Sequence, residues 1–333
     1  MAYTEIDNPE LYFQVELYTG TSGDGNAMTF DGDEDMQPDM IWVKSRGNAY
    51  HYVADSVRGV TKRIAPDRSD AETTTTDTLA SFDSDGFTLD DDATNNWINY
   101  SGTNYVAWCW KESATAGFDI VSYTGNATAD RSIGHSLGTE PTFIIVKDRS
   151  NTMNWPTYQK VLGNGVQFLD ITDAWTDHVA YSNYWYPSGM SSSNFGIGDN
   201  ANTNTNTDNF IAYLFSDRQG FSKFGKYTGN GNADGAFVYT GFRPAWVMVK
   251  KSSSTSGWAI YDNKRSSYNV MDLRLLANTS GADDQSADNN IDFLSNGFKF
   301  RASAGWNASA TYVYMAFAEA PFVNSNGVPC NAR

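Results

Sequence analysis

Three histidines and 39 acidic side chains are the residues of this chain best placed to do chemistry. A hydrolytic triad needs a nucleophile, a base and an orienting acid brought together. His51, His135 and His178 share no common spacing, and there is no Gly-x-Ser-x-Gly elbow, phosphate-binding loop or His-Glu-x-x-His helix. His135, in GHSLGTEP, precedes an apolar run and reads as a turn or edge residue. Carboxylates crowd residues 31–35 (DGDED) and 83–92 (DSDGFTLDDD). Calcium favours such oxygens, yet neither stretch supplies the glutamate that closes an EF-hand loop. Both read as solvated loops, with a structural Ca2+ or Mg2+ as the other reading. Two carboxylates could cleave a glycosidic bond without any local motif. A repeated unit with polar, variable loops fits one deep active site poorly. The expectation is therefore a protein that is not an enzyme, with no catalytic residue, metal ligand or cofactor.

The aromatic residues say more. There are 10 Trp, 19 Tyr and 19 Phe. Most recur at fixed intervals, but Trp175, Tyr181, Tyr184, Trp185 and Tyr186 do not. They fall in a turn-rich stretch around AYSNYWYPSG, with His178 among them. Large rings in such a loop anchor a protein interface, stack on a sugar face or pack inward. Nothing in the recurring pattern requires them, so these five residues are expected to form a ligand- or partner-binding surface. The polar tract NANTNTNTDN that follows reads as a turn.

What positions these residues is a threefold repeat. PDMIWVKS, PTFIIVKD and PAWVMVKK begin at Pro38, Pro141 and Pro244, each 103 residues after the last. Each is preceded by Tyr-Thr-Gly (Tyr18, Tyr123, Tyr227). Each is followed by an aromatic segment (from Tyr50, Trp155 and Trp258), then by a turn leading to Phe87, Phe195 or Phe298. Each unit closes on YVAWCWKE, FIAYLFSD or YVYMAFAE. These runs are short, rich in β-branched and aromatic residues and bounded by turn formers, as strands are. No stretch keeps a helical period. The expected fold is all-β: three tandem β-sandwich repeats of about 103 residues, each of roughly seven to eight strands. The boundaries are an N-terminal arm 1–11, repeats 12–115, 116–218 and 219–322, and a tail 323–333. Trp42, Ile145 and Met248 should be equivalent. Short joints such as ESATA and SDRQ should pack the repeats tightly, about a pseudo-threefold axis. Arm and tail are too polar to fold alone, so at least one is expected to lie against a neighbouring subunit.

The formal charge is −16, and residues 1–115 hold 21 acids against 7 bases. Such a surface repels phosphate, so nucleic acid is not expected as a partner. Cys109, between two tryptophans in a strand pattern, should be a buried thiol, and nothing suggests a disulfide framework. The N-terminus lacks the basic and apolar regions of a signal peptide, and no apolar run is long enough to cross a membrane.

YTGN, HSLGTEP before an apolar strand ending in Val-Lys, the SNGF hairpin and the closing strands together resemble the concanavalin A-like, lectin-type β-sandwich repeats of tailed bacteriophage virion proteins, especially marine and cyanobacterial ones. The resemblance covers residues 12–322. It implies a jelly-roll or lectin-like fold and a virion protein assembled in the host cytoplasm. Its job would be host attachment, as a tail fibre or receptor-binding protein. The alternative is a capsid decoration or connector protein, and a glycan depolymerase is a minor alternative. Implied partners are other virion structural proteins and a host-surface glycan or protein receptor, with an oligomer in the assembled particle. The first repeat departs from the pattern, having MTFDGDEDMQPDM where the second has RSIGHSLGTEPTF.

Overall fold

The computed structural model describes residues 4–95, 97–177 and 183–330. The chain is all-β, and three large antiparallel sheets share one strand order. In the first, Phe13–Thr19 pairs with Asn104–Trp110, which pairs with Met40–Ser45, and that with Tyr52–Asp55. The second repeats the order with Phe118–Thr124, Asn209–Phe215, Phe143–Asp148 and Pro156–Gln159. The third does so with Ser222–Thr228, Thr311–Pro321, Phe242–Lys251 and Trp258–Asp262. Trp42, Ile145 and Met248 stand opposite Trp108, Tyr213 and Met315, at matching places in the three registers. A smaller sheet packs on each large one. Its edge strand is Asn26–Met28, Arg131–Gly134 or Phe237–Tyr239. Short helical turns interrupt the all-strand expectation. One of them, Ala201–Asn204, lies inside the Asn/Thr tract and is capped by the Asn200 side chain.

Alternation along each large strand sends side chains to two different cores. Ile41 and Val43 face the first small sheet, with Phe87 and Leu89. Met40 and Trp42 face the other way, into a core shared by all three segments. In the second sheet Ile144 and Val146 pack with Phe195, while Phe143 and Ile145 join the shared core. This explains the unbroken apolar runs: one face is buried within a segment, the other between segments. The shared core is largely aromatic. Trp246 meets Trp108 and Trp110, while Phe317 meets Phe13, Trp110 and Phe215.

The recurring Tyr-Thr-Gly has a local cause. The hydroxyls of Tyr18, Tyr123 and Tyr227 donate to the carbonyls of Ile98, Thr203 and Trp306, at 2.8, 2.7 and 2.6 Å. The next residue in each case is a buried asparagine, Asn99, Asn204 or Asn307, whose side chain ties neighbouring loops together. The glycine lets the strand end approach this loop. A Cβ on Gly20, Gly125 or Gly229 would lie 2.4, 1.9 or 2.2 Å from a carbonyl oxygen. Asn307 donates to Asn232 O and Ala302 O at 2.7 and 2.8 Å. Asn307→Ala leaves those carbonyls and the Asn230 amide without their partner and should cost about 1–3 kcal/mol, read as a lower denaturation midpoint at unchanged slope.

Arm and tail dock on the body of their own chain. Thr4 and Glu5 bond to Gln219 O, and Ile6 is buried in the shared core. Ser325 donates to Asp7, and Cys330 N to Phe322 O. The described parts of arm and tail are held by their own chain: Ile6 and a few hydrogen bonds dock the arm, and hydrogen bonds hold the tail.

Candidate functional site

The contacts between segments follow a cyclic rule. Trp155 Nε1 of the second segment donates to Arg68 O of the first at 2.8 Å. Trp258 Nε1 of the third donates to Phe168 O of the second at 2.7 Å. The first segment carries His51 at this place, opposite Lys44 as Trp155 is opposite Lys147 and Trp258 opposite Lys250. The register makes His51 the counterpart of the two tryptophans, where the sequence had pointed to Tyr50. Its Nδ1 accepts from Trp42 Nε1 at 2.8 Å, so Nε2 carries the proton and donates to Leu276 O of the third segment at 3.1 Å. Burial lowers the His51 pKa to about 3 and keeps the ring neutral. The histidine closes a ring of three segments.

Two of the three seams are ionic. Between segments one and two, Tyr213 Oη donates to Asp55 at 2.7 Å, and Arg58 Nε bonds the same carboxylate at 2.6 Å. Arg58 also reaches Glu72, which Arg149 clamps from the second segment at 2.8 and 3.0 Å. Between three and one, Trp108 Nε1 donates to Asp262 at 3.1 Å and Arg265 Nε bonds it at 2.6 Å. Arg265 reaches Asp283, which Arg46 clamps from the first segment. The third seam replaces the whole set. Gln159, Leu162 and Met315 stand where the other seams have Asp, Arg and a donor. The backbone marks the remaining pair: Glu72 N bonds Arg149 O, Asp283 N bonds Arg46 O, and here Trp175 N bonds Ser252 O. Charge, counter-charge and donor are kept together or lost together, as the cost of an unpaired buried charge requires.

Three equivalent lysines, Lys44, Lys147 and Lys250, are fully buried beside these seams. Each amine donates to two backbone carbonyls; Lys147 reaches Ser69 O and Lys250 reaches Thr172 O, both on the preceding segment. Burial lowers the first two from 10.5 to about 8 and Lys250 to about 7. The unfolded chain therefore binds more protons than the folded one between these values and 10.5, so the lysines make stability rise with pH there. Half-buried Glu112, raised from 4.5 to about 8, and half-buried Glu16, raised to about 7, act oppositely below pH 8. The melting temperature should thus rise from pH 8 to about 9, where the buried Cys109 thiol and tyrosine hydroxyls, held above their ordinary values by burial, begin to act oppositely, and Lys250→Met should flatten that rise.

The aromatic group singled out from the sequence separates. Tyr184 and Trp185 are buried inside the second segment, packed on Phe168 and Tyr158. Their expected exposure in a binding surface is corrected: the second small sheet has only two described strands, and these rings occupy part of its core. Tyr186 is half-buried over Gly189 and Gly196. Trp175 is half-buried against Gly165 and belongs to the non-ionic seam. Tyr181 and His178 lie outside the described residues. Among the described residues no group of acids, histidines or cysteines is arranged to hold a metal. His135 Nδ1 accepts from Leu137 N, in a turn as expected.

Exposed rings occur elsewhere, in the third segment. Phe237, Tyr239 and Tyr268 are 46, 61 and 80 % exposed, with Val270 nearby in sequence at 47 %. The sequence reading passed over them because each stands alone in a polar stretch. The available signal was strand alternation in FVY, which turns both aromatics to one face.

No curated protein and no solved structure matches the chain. Residues 8–321 match a family described as a domain of unknown function, DUF7483. That match spans all three large sheets and all three seams, so the chain as a whole belongs to the DUF7483 family.

Proposed function

We propose that this chain is a non-enzymatic virion surface protein of a tailed bacteriophage, made of three tandem lectin-like β-sandwich copies, 12–115, 116–218 and 219–322, and used for host attachment. The observation carrying this reading is the closed ring of three sheets with one strand order. Such a body holds three sets of loops in fixed relation, which suits simultaneous contact with a surface. The chemistry so far described is structural: His51, the ionic seams and the buried lysines all bond within the chain. Binding of the purified protein to host cells, competed by isolated host-surface polysaccharide or receptor protein, tests the reading. Absence of binding to cells that the particle infects would refute it.

The second reading is a capsid decoration or connector protein. It is favoured by the exposed aromatics of the third segment, since large exposed apolar patches mark contacts. Localisation of the chain in a reconstruction of the intact particle separates the two.

A further inference from the structure

We propose that the cleft beside the joint SDRQ binds a neutral saccharide through the Tyr239 ring. This names a ligand class for the host-attachment reading and rests on it. The cleft is a cavity of about 480 Å3 between the arm, the joint, the edge strand Phe237–Tyr239 and the start of the tail. Sites for small ligands run about 300–1,000 Å3. Tyr239 lines the cleft and is 61 % exposed. The other segments carry no ring at this place. Val238 pairs with Phe298 as Ile133 pairs with Phe195 and Met28 with Phe87, so Gly134 and Thr29 are the counterparts of Tyr239. Beyond the edge strand the second segment has three residues, 135–137, before the positive-φ Gly138. The third has Thr240 alone before the positive-φ Gly241. In the longer turn Ser136 donates to Asp119, the counterpart of Lys223, and Leu137 is buried. The shorter turn has no residue to fill that place.

The lining selects the ligand. Glu5, Asp217, Arg218 and Lys223 contribute two acids and two bases, so the walls are neutral in sum. Neither base is free for an anion. Lys223 is paired with Asp217, and Arg218 donates to Ala114 O, Thr115 O and Leu137 O at 2.6, 3.1 and 3.0 Å. One ring is no cage for a cation. A wholly apolar ligand would strip water from the partly exposed Asp217–Lys223 pair and return no hydrogen bond. That pair sets an acceptor beside a donor, as two neighbouring hydroxyls require. The Tyr239 ring adds an apolar face with a polar tip. A pyranose presents hydroxyls at its edge, C–H groups on its face and no charge, and so matches both.

The probe is an array of glucans, galactans, mannans and chitooligosaccharides, with sialylated and sulfated glycans beside them. The full chain should bind among the neutral members. Tyr239→Ala should weaken that binding about tenfold or more, and Tyr239→Phe should keep it, because the ring face carries the contact. Lys223→Met should weaken it too, through the lost donor. Phe237→Ser, on the same strand but outside the cleft, should leave it unchanged. These side chains are exposed or partly exposed, so melting should be little changed. Binding to no neutral glycan, or to acidic ones alone, overturns the proposal, as does a Tyr239→Ala protein that binds like the parent. Host cells separate this site from the reading it rests on. If the parent and Tyr239→Ala bind cells equally, the cleft is wrong and the attachment reading stands. If the parent binds no host cells, the attachment reading falls and the proposal with it. If Tyr239→Ala instead loses binding to another particle protein, the cleft belongs to that partner and the proposal falls.

Discussion

Asp262→Ala should lower the free energy of unfolding by about 3–5 kcal/mol, because it leaves a buried guanidinium without its partner. The Asp262 and Arg265 side chains are both fully inaccessible to water. Arg265 also bonds Ile260 O and Asp283, so it cannot swing out to solvent without breaking those bonds as well. The indole N–H of Trp108 loses its acceptor in the same step. The third seam supplies the control. Asp262→Gln combined with Arg265→Leu installs its residues, removes both charges and should cost less than the single change. Denaturant titration at neutral pH reads both. A loss under about 1 kcal/mol for Asp262→Ala would show that water reaches the pair and that the seam is not sealed.

Trp246→Ala should cost about 3–5 kcal/mol as well, from lost burial and the cavity left behind. The ring is wholly buried and touches Phe13, Trp108, Trp110 and Phe317, so it joins the first segment to the third. Hydrogen exchange should then quicken in Asn104–Trp110 as well as in Phe242–Lys251, although only one strand carries the change. Tyr268→Ala is the contrast. Its ring is 80 % exposed, and its removal should stay within about 0.5 kcal/mol. Exchange confined to the third segment in Trp246→Ala would mean that the segments fold independently.

The strands were legible in the sequence because each landmark is a short β-branched or aromatic run between turn formers. The equivalence of Trp42, Ile145 and Met248 was legible because the 103-residue period is nearly free of insertions there. The division of labour between the two faces was not. A fully apolar strand looks the same whether its second face meets its own sandwich or a neighbouring segment. The seams were hidden for a different reason. Asp55, Arg58, Glu72 and Arg149 are ordinary polar residues in sequence, and only the fold brings the fourth next to the third. The burial of two rings of the aromatic group was not legible, because rings that do not recur can still fill a core that differs locally. Trp185 and Tyr184 do so where, among the described residues, the second segment's small sheet has two strands and the others have three. The better candidates, Phe237 and Tyr239, depend on which side of a three-residue edge strand faces water.

The docking of Ser325 on Asp7 brings the arm and the tail side by side. In a body whose third segment also contacts its first, the polypeptide then has a beginning and an end only in the covalent sense. Joining the ends with a short flexible connector and opening the chain at the exposed residues 114–115 should give a permuted protein with the same three seams.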